Sequence, residues 1–193
     1  MKQRAREAAA TALLEAAEHV AAERGIDQTS IAAIAERAQV AVGTLYNYFP
    51  DRESLLSALF KWRRDEMLPR LLAAAAAAAV DGPFEQRLRL FLLSVARAFD
   101  GYRRFCRVAM SADQSATPIK GRLGANNKSV VLETFLTNLT GILGPVYGAK
   151  SEEYARMMFG SFKMMMQFQL EKDQPIENMV DGIVATFLQG MAR

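Results

Sequence analysis

The residues best suited to contact chemistry crowd into one stretch, Ser30–Phe49, SIAAIAERAQVAVGTLYNYF. Gly43, Thr44, Tyr46, Asn47 and Tyr48 fall within it. A segment with only a core to bury would carry more apolar side chains there. The mixture suits recognition of a DNA duplex. Gly43 and Thr44 are small enough for backbone to approach base edges. Val42 and the Thr44 methyl can touch a thymine methyl, and Asn47 can read a base edge or hold a phosphate. The hydroxyls of Thr29, Tyr46 and Tyr48 can donate to phosphate oxygens, which fixes register rather than sequence.

Chemistry of other kinds is sparse. No nucleophile–base pattern, glycine-rich phosphate loop or metal-ligand spacing occurs, so no catalytic residue, metal or cofactor is expected. One histidine, His19, and one cysteine, Cys106, are too few for a multi-ligand His/Cys metal site within a chain. A single cysteine also excludes an intrachain disulfide framework. Arginines cluster at Arg97, Arg103, Arg104 and Arg107, and guanidinium suits carboxylate or phosphate. Solvated arginines on a short helix explain that cluster more simply.

Length and composition set the frame. The 193 residues are 51% hydrophobic, with a net charge of +3, enough for a substantial core and one or two domains. The charge is uneven: residues 1–60 are net −2, residues 61–128 net +7 and residues 129–193 net −2. The DNA-contacting segment therefore has no general basic field, apart from the arm Lys2, Arg4 and Arg6. Its affinity must come from placed contacts and from two copies acting together. No apolar run approaches the roughly 20 residues of a membrane span, and the N-terminus lacks an apolar signal core. A cytoplasmic protein with no membrane partner is expected.

The elements that must position the contact residues are helical, since no alternating strand pattern appears. About nine helices are predicted. The first covers residues 4–24 and is closed by Gly25, where a left-handed cap is cheap. A second at about 31–38, a turn at Gln39–Ala41 and a third at about 42–48 follow. Leu45 and Phe49 point to the core and the polar set points outward. Asp51 caps a fourth helix, and Pro69 is expected to kink or break it. An alanine run ends at Val80–Pro83. Further helices are expected at 83–99, 102–111, 119–143, 151–171 and 176–191, with residues 112–118 as loop and Gly144-Pro145 ending the seventh.

Residues 13–56 resemble the N-terminal domain of TetR-family transcriptional regulators. Val42–Phe49, Arg52-Glu53 and Leu55-Leu56 carry the likeness most strongly. The resemblance implies a helix-turn-helix domain at 1–50, extended by the fourth helix at 52–79. An effector-binding and dimerisation domain at 51–193 completes the expected organisation. It implies DNA contacts at Thr29, Ser30, Val42, Gly43, Thr44, Tyr46, Asn47, Tyr48 and Arg52, the last standing where a lysine commonly holds a phosphate. Three positions depart from the family pattern: Gln39 replaces the usual glycine, Ala41 the frequent serine cap, and Ala21 a bulky residue.

Two further expectations concern the remainder. A cavity among the helices at 83–111, 119–143 and 151–171 is predicted, walled by Phe99, Tyr102, Cys106, Met110, Phe135, Met158 and Phe162. The last two helices, about 151–191, carry more apolar surface than one side needs, and methionine concentrates between Met157 and Met166. They are expected to form half of a homodimer seam. The functional expectation is a DNA-binding repressor released from a palindromic operator by an unknown small-molecule effector. A helical carrier or enzyme using the C-terminal cavity is the alternative.

Overall fold

The computed structural model describes residues 2–77, 82–115 and 130–191. Nine α-helices occur among them: α1 (Lys2–Arg24), α2 (Ile31–Arg37), α3 (Val42–Tyr46), α4 (Arg52–Ala77), α5 (Phe84–Asp100), α6 (Arg103–Gln114), α7 (Val130–Tyr147), α8 (Ser151–Glu171) and α9 (Val180–Met191). Short 3-10 turns at Gly148–Lys150 and Ile176–Met179 precede α8 and α9. The described residues contain no strand. The expected all-helical class is the observed one. The expected loop residues 116–118 and the start of the helix at 119, with Leu123, lie outside the described residues, as do Val80 and Asp81 at the end of the alanine run.

The chain divides into two compact units. One takes Met1–Asp65 and Arg104–Asn127, and the other Glu66–Arg103 and Lys128–Arg193. Compactness thus follows space rather than chain order, since most of α6 joins the first three helices. Sequence order does not report this, because residues of the α1–α2 turn and the end of α6 that bond to each other lie 85 to 88 positions apart.

In the first unit the buried core is apolar and continuous: Leu13, Leu14, Val20, Ile34, Leu45, Leu55, Leu56, Leu59, Phe60 and Phe105 are all buried. Phe60 and Phe105 meet edge to face with centroids 5.2 Å apart, fixing α6 against α4. Ala21 is also buried, so the small residue occupies a core site rather than a surface one. Glu18 is only 2% exposed, and its carboxylate accepts from Nε of Arg63 at 2.5 Å, joining α1 to α4. A buried carboxylate is tolerated only with such a partner.

The second unit centres on aromatic rings. Phe135 of α7 lies 5.3 Å from Phe91 of α5, and 5.2 and 5.4 Å from Phe159 and Phe162 of α8. Phe99 lies 6.1 Å from Phe162. Arg103 donates to Asp100 Oδ1 and to the Gln174 carbonyl at 2.6 and 2.7 Å, and Asp100 Oδ2 accepts from the Ile176 N–H at 3.0 Å. These bonds pin the turn that leads into α9.

Four boundaries differ from expectation, each for a local reason. The helix α4 runs through Pro69 without interruption, held on either side by buried Met67 and Leu71. Proline removes one hydrogen bond there, and packing of the apolar side offsets that loss. Instead of stopping before Gly144-Pro145, α7 continues to Tyr147, where Gly148 adopts φ +52°. The helix α6 reaches Gln114, three residues beyond the expected end, because Ala112 still has a buried site to fill. In α3 only five residues are helical, and Tyr48 and Phe49 close it by donating to the Leu45 carbonyl.

The stretch Val130–Glu171 is long and apolar enough by composition to cross a membrane, although no such span was expected. The structure divides it into α7 and α8 at Gly148–Lys150, and the two pack against each other through their aromatic residues.

Candidate nucleic-acid interface and apolar cavity

The turn between α2 and α3 decides what α3 presents. Ser30 caps α2 in an extended conformation, and its hydroxyl accepts from the Ala33 N–H at 3.1 Å. At the other end, Gln39 adopts φ +56°, a left-handed conformation that glycine reaches more cheaply. Gln39 therefore bears the conformational cost that the resemblance assigns to glycine. Ala41 is the N-cap of α3 and supplies no side-chain bond to it. Leu45 is fully buried and anchors the short helix. Burying such a side chain is worth roughly 1.5–3 kcal/mol.

Everything else on α3 faces outward. Val42, Gly43, Thr44 and Tyr46 are exposed, Tyr46 by 51%, and Asn47 just beyond is exposed too. Tyr48 is half-buried. Open space surrounds the Cα of Gly43. The structure thus brings Ser30, Val42, Gly43, Thr44, Tyr46, Asn47 and Tyr48 into one unit with their polar atoms accessible or partly so. A groove of about 330 Å³ runs beside them, with Ala9, Ala12, Leu13 and Ala16 of α1 on one wall and Val40, Thr44 and Tyr48 on the other. Sequence reasoning did not find it, since it follows from the small residues on one face of α1.

Two expected phosphate contacts are turned inward instead. Thr29 is 1% exposed, and its hydroxyl donates to the Gly25 carbonyl at 2.9 Å. Arg52 is half-buried and donates to the carbonyls of Thr29 and Ile26. Both side chains are occupied in holding the turn at residues 26–29, because its carbonyls have no helical partners and need donors. The same turn is held from α6. The Ile26 N–H donates to Ser111 Oγ at 3.0 Å, and Ser115 Oγ donates to Asp27 Oδ1 at 2.5 Å. Gly25, at φ +81°, leaves room for the Ser111 hydroxyl 3.4 Å from where a Cβ would sit. Ser111 and Ser115 are positioning residues with no signal in the sequence.

His19 accepts at Nδ1 from Nη2 of Arg37 at 2.9 Å, and Arg37 pairs with Glu23 at 3.3 Å. Partial burial, followed by the charges of Arg104 and Arg37, lowers the His19 pKa below its ordinary value. Among the described residues, no group of three or more side chains is placed to hold a metal ion.

The second unit contains a small apolar cavity of about 20 Å³, lined by Leu71, Phe91, Val95, Phe99, Val131, Thr134, Phe135 and Phe159. Phe99 and Phe135 were expected there. Met158 and Phe162 are buried in the neighbouring packing, and Tyr102 is buried with its hydroxyl donating to the Glu66 carbonyl at 3.2 Å. Cys106 is buried and Met110 half-buried, but both belong to the first unit. Leu71 and the residues interleaved with Phe135 were missed because apolar helix faces look alike in sequence.

Against known proteins, residues 13–59 match the family model described as bacterial regulatory proteins, tetR family. That match makes residues 13–59 similar to the N-terminal domain of tetR-type regulators. The fatty acid metabolism regulator protein of Bacillus subtilis (strain 168) is 39% identical over 59 residues. The alignment covers 31% of this chain and 30% of that relative's length. Among solved structures, the fatty acid degradation regulator FadR from Bacillus halodurans superposes with a TM-score of 0.70 at 24% identity, over 94% of this chain and 95% of that one. The regulator FadR from Bacillus subtilis in complex with stearoyl-CoA gives 0.67 at 21% identity, over 91% and 95%. A transcriptional regulator from Rhodococcus sp. Rha1 gives 0.71 at 19%, over 94% and 96%. These likenesses establish a shared fold over the length of the chain.

Proposed function

We propose that this chain is a ligand-responsive DNA-binding repressor that acts as a homodimer on a palindromic operator. The observation that carries this reading is α3: five residues held by one buried leucine, with Val42, Gly43, Thr44 and Tyr46 turned to solvent. No folding requirement accounts for that exposed set, whereas a major groove does. Ser30, Val42, Gly43, Thr44, Tyr46, Asn47 and Tyr48 make the contacts, and Thr29 and Arg52 position the turn behind them. Residues 1–50 act as the reading domain, and residues 51–193 bind the effector and the second subunit.

Dimerisation uses α8 and α9. Met157, Met164, Met165 and Phe168 are exposed on α8, and Gly182, Ala185, Thr186 and Gln189 on α9. Large flexible side chains against small ones suit close helix packing between copies. Two reading helices then meet half-sites ~34–36 Å apart or a multiple of it.

The effector is an apolar small molecule, since the cavity around Phe135 offers rings and aliphatic side chains with one hydroxyl, that of Thr134. Ligand sites hold on the order of 300–1,000 Å³, so binding must part the aromatic cluster and favour a different arrangement of α5, α7 and α8. The B. subtilis structure holds stearoyl-CoA, which makes acyl-CoA thioesters the first compounds to test. The deciding experiment selects bound sequences from a random duplex pool. Enrichment of a palindrome is expected, with release on adding an acyl-CoA. Failure to enrich any sequence would overturn the DNA-binding reading, and release by no apolar compound would overturn the effector class.

A further inference from the structure

Arg6 stands apart from the contacts assigned above. It lies in the second turn of α1, is exposed, and has no carboxylate partner among the described residues. Its guanidinium carbon sits over the Tyr48 ring, 5.8 Å from the centroid. Three other arginines of this unit are engaged elsewhere: Arg37 with His19 and Glu23, Arg52 with two carbonyls, Arg63 with Glu18. Arg6 therefore brings an uncommitted positive charge to the aromatic ring that closes the exposed helix α3. An aromatic face restrains a guanidinium while leaving its N–H edge open to donate.

We propose that Arg6 is a phosphate-binding residue of the DNA interface, with Tyr48 as the shelf that orients it. The proposal rests on the reading of α3 as the groove-entering helix. It matters because residues 1–60 are net negative, so each placed cation carries a large share of the electrostatic attraction. Arg4 supplies the comparison. It lies two residues away on α1, about 200° around the helix from Arg6, whereas the guanidinium over the Tyr48 ring is that of Arg6. A general charge effect would make Arg4 and Arg6 equivalent, whereas a placed contact makes them differ.

The test measures affinity of the full-length protein for its selected operator by fluorescence anisotropy across a salt series. Wild type, Arg6→Ala, Arg4→Ala and Thr44→Ala are compared after circular dichroism confirms equal helix content. Each Arg6 of a dimer neutralises one phosphate, so the salt slope should fall in magnitude by about 1.8 for Arg6→Ala and stay unchanged for Arg4→Ala. Between about 50 and 200 mM salt, the variant should then lose about twelvefold less affinity than wild type. An unchanged slope for Arg6→Ala, or equal changes for both arginines, overturns the role of Arg6 while wild-type binding keeps the DNA reading intact. Wild type that binds no selected duplex, with Thr44→Ala indistinguishable from it, overturns the DNA reading itself.

Discussion

The helices α3 and α8 both expose large side chains, yet for different physical reasons. On α3, exposure is paired with polarity: Thr44, Tyr46 and Asn47 can each donate or accept, and the backbone is bare at Gly43. On α8, large apolar side chains are exposed among the charged Glu152, Glu153, Arg156, Lys163 and Glu171, with Met164 73%, Met157 54% and Phe168 46% exposed. A hydrated, charged duplex rewards the first surface. Only another protein surface rewards the second, because methionine and phenylalanine return nothing to a phosphate. The supports differ as well. Buried Leu45 anchors the short α3, while α8 is a long helix stabilised by its own buried face.

The largest effect that would test this contrast lies on α8. Met164→Glu with Phe168→Glu should shift the protein from dimer to monomer in sedimentation velocity. An unpaired carboxylate buried at a seam costs about 3–5 kcal/mol, so dissociation should strengthen by at least about a hundredfold. An unchanged association state would show that this face is not the seam.

Next come paired changes on α3 that separate support from contact. Leu45→Ala should cost about 2–5 kcal/mol in urea denaturation, because it empties a fully buried site. Tyr46→Ala should move stability by no more than about 0.5 kcal/mol. It should nevertheless weaken operator binding by about tenfold, the scale of a lost specific contact. Equal effects of Tyr46→Ala on folding and binding would mean that the exposed face is structural.

A smaller gain is expected at the turn. Ala41→Ser supplies the missing hydroxyl in an already extended N-cap, where φ is −67° and ψ is 145°, and should add about 1 kcal/mol. Gln39→Gly removes the left-handed cost of about 1–2 kcal/mol but enlarges the freedom of the unfolded chain. Its net gain should fall below that of serine at position 41. A loss of stability in either variant, read from the urea midpoint, would contradict the geometry of the turn.

The smallest effect concerns His19. Its folded-state pKa is lowered, so its contribution to stability is present above the unfolded value near 6.5 and is lost as pH falls through the folded value. The variant His19→Gln should flatten that part of the pH–stability curve. A slope identical to wild type would count against a lowered His19 pKa, whose main cause is burial.

The sequence by itself determined the helices, the left-handed closure at Gly25, the Asp51 cap and the outward set on α3. Each of these depends on neighbours within a turn or two, where periodicity and capping chemistry are written locally. Gln39 and Ala41 were legible as oddities for the same reason. Thr29 and Arg52 were misread because a hydroxyl or guanidinium in sequence does not say which carbonyls lie unpaired nearby. Only the tertiary structure decided that both turn inward. It also decided that α6 buttresses the 26–29 turn through Ser111 and Ser115, and that the cavity forms around Phe135 without Cys106 or Met110. Apart from the local Thr29–Gly25 bond, those outcomes depend on contacts between residues 23 to 88 positions apart, and helical periodicity carries no record of which apolar face meets which.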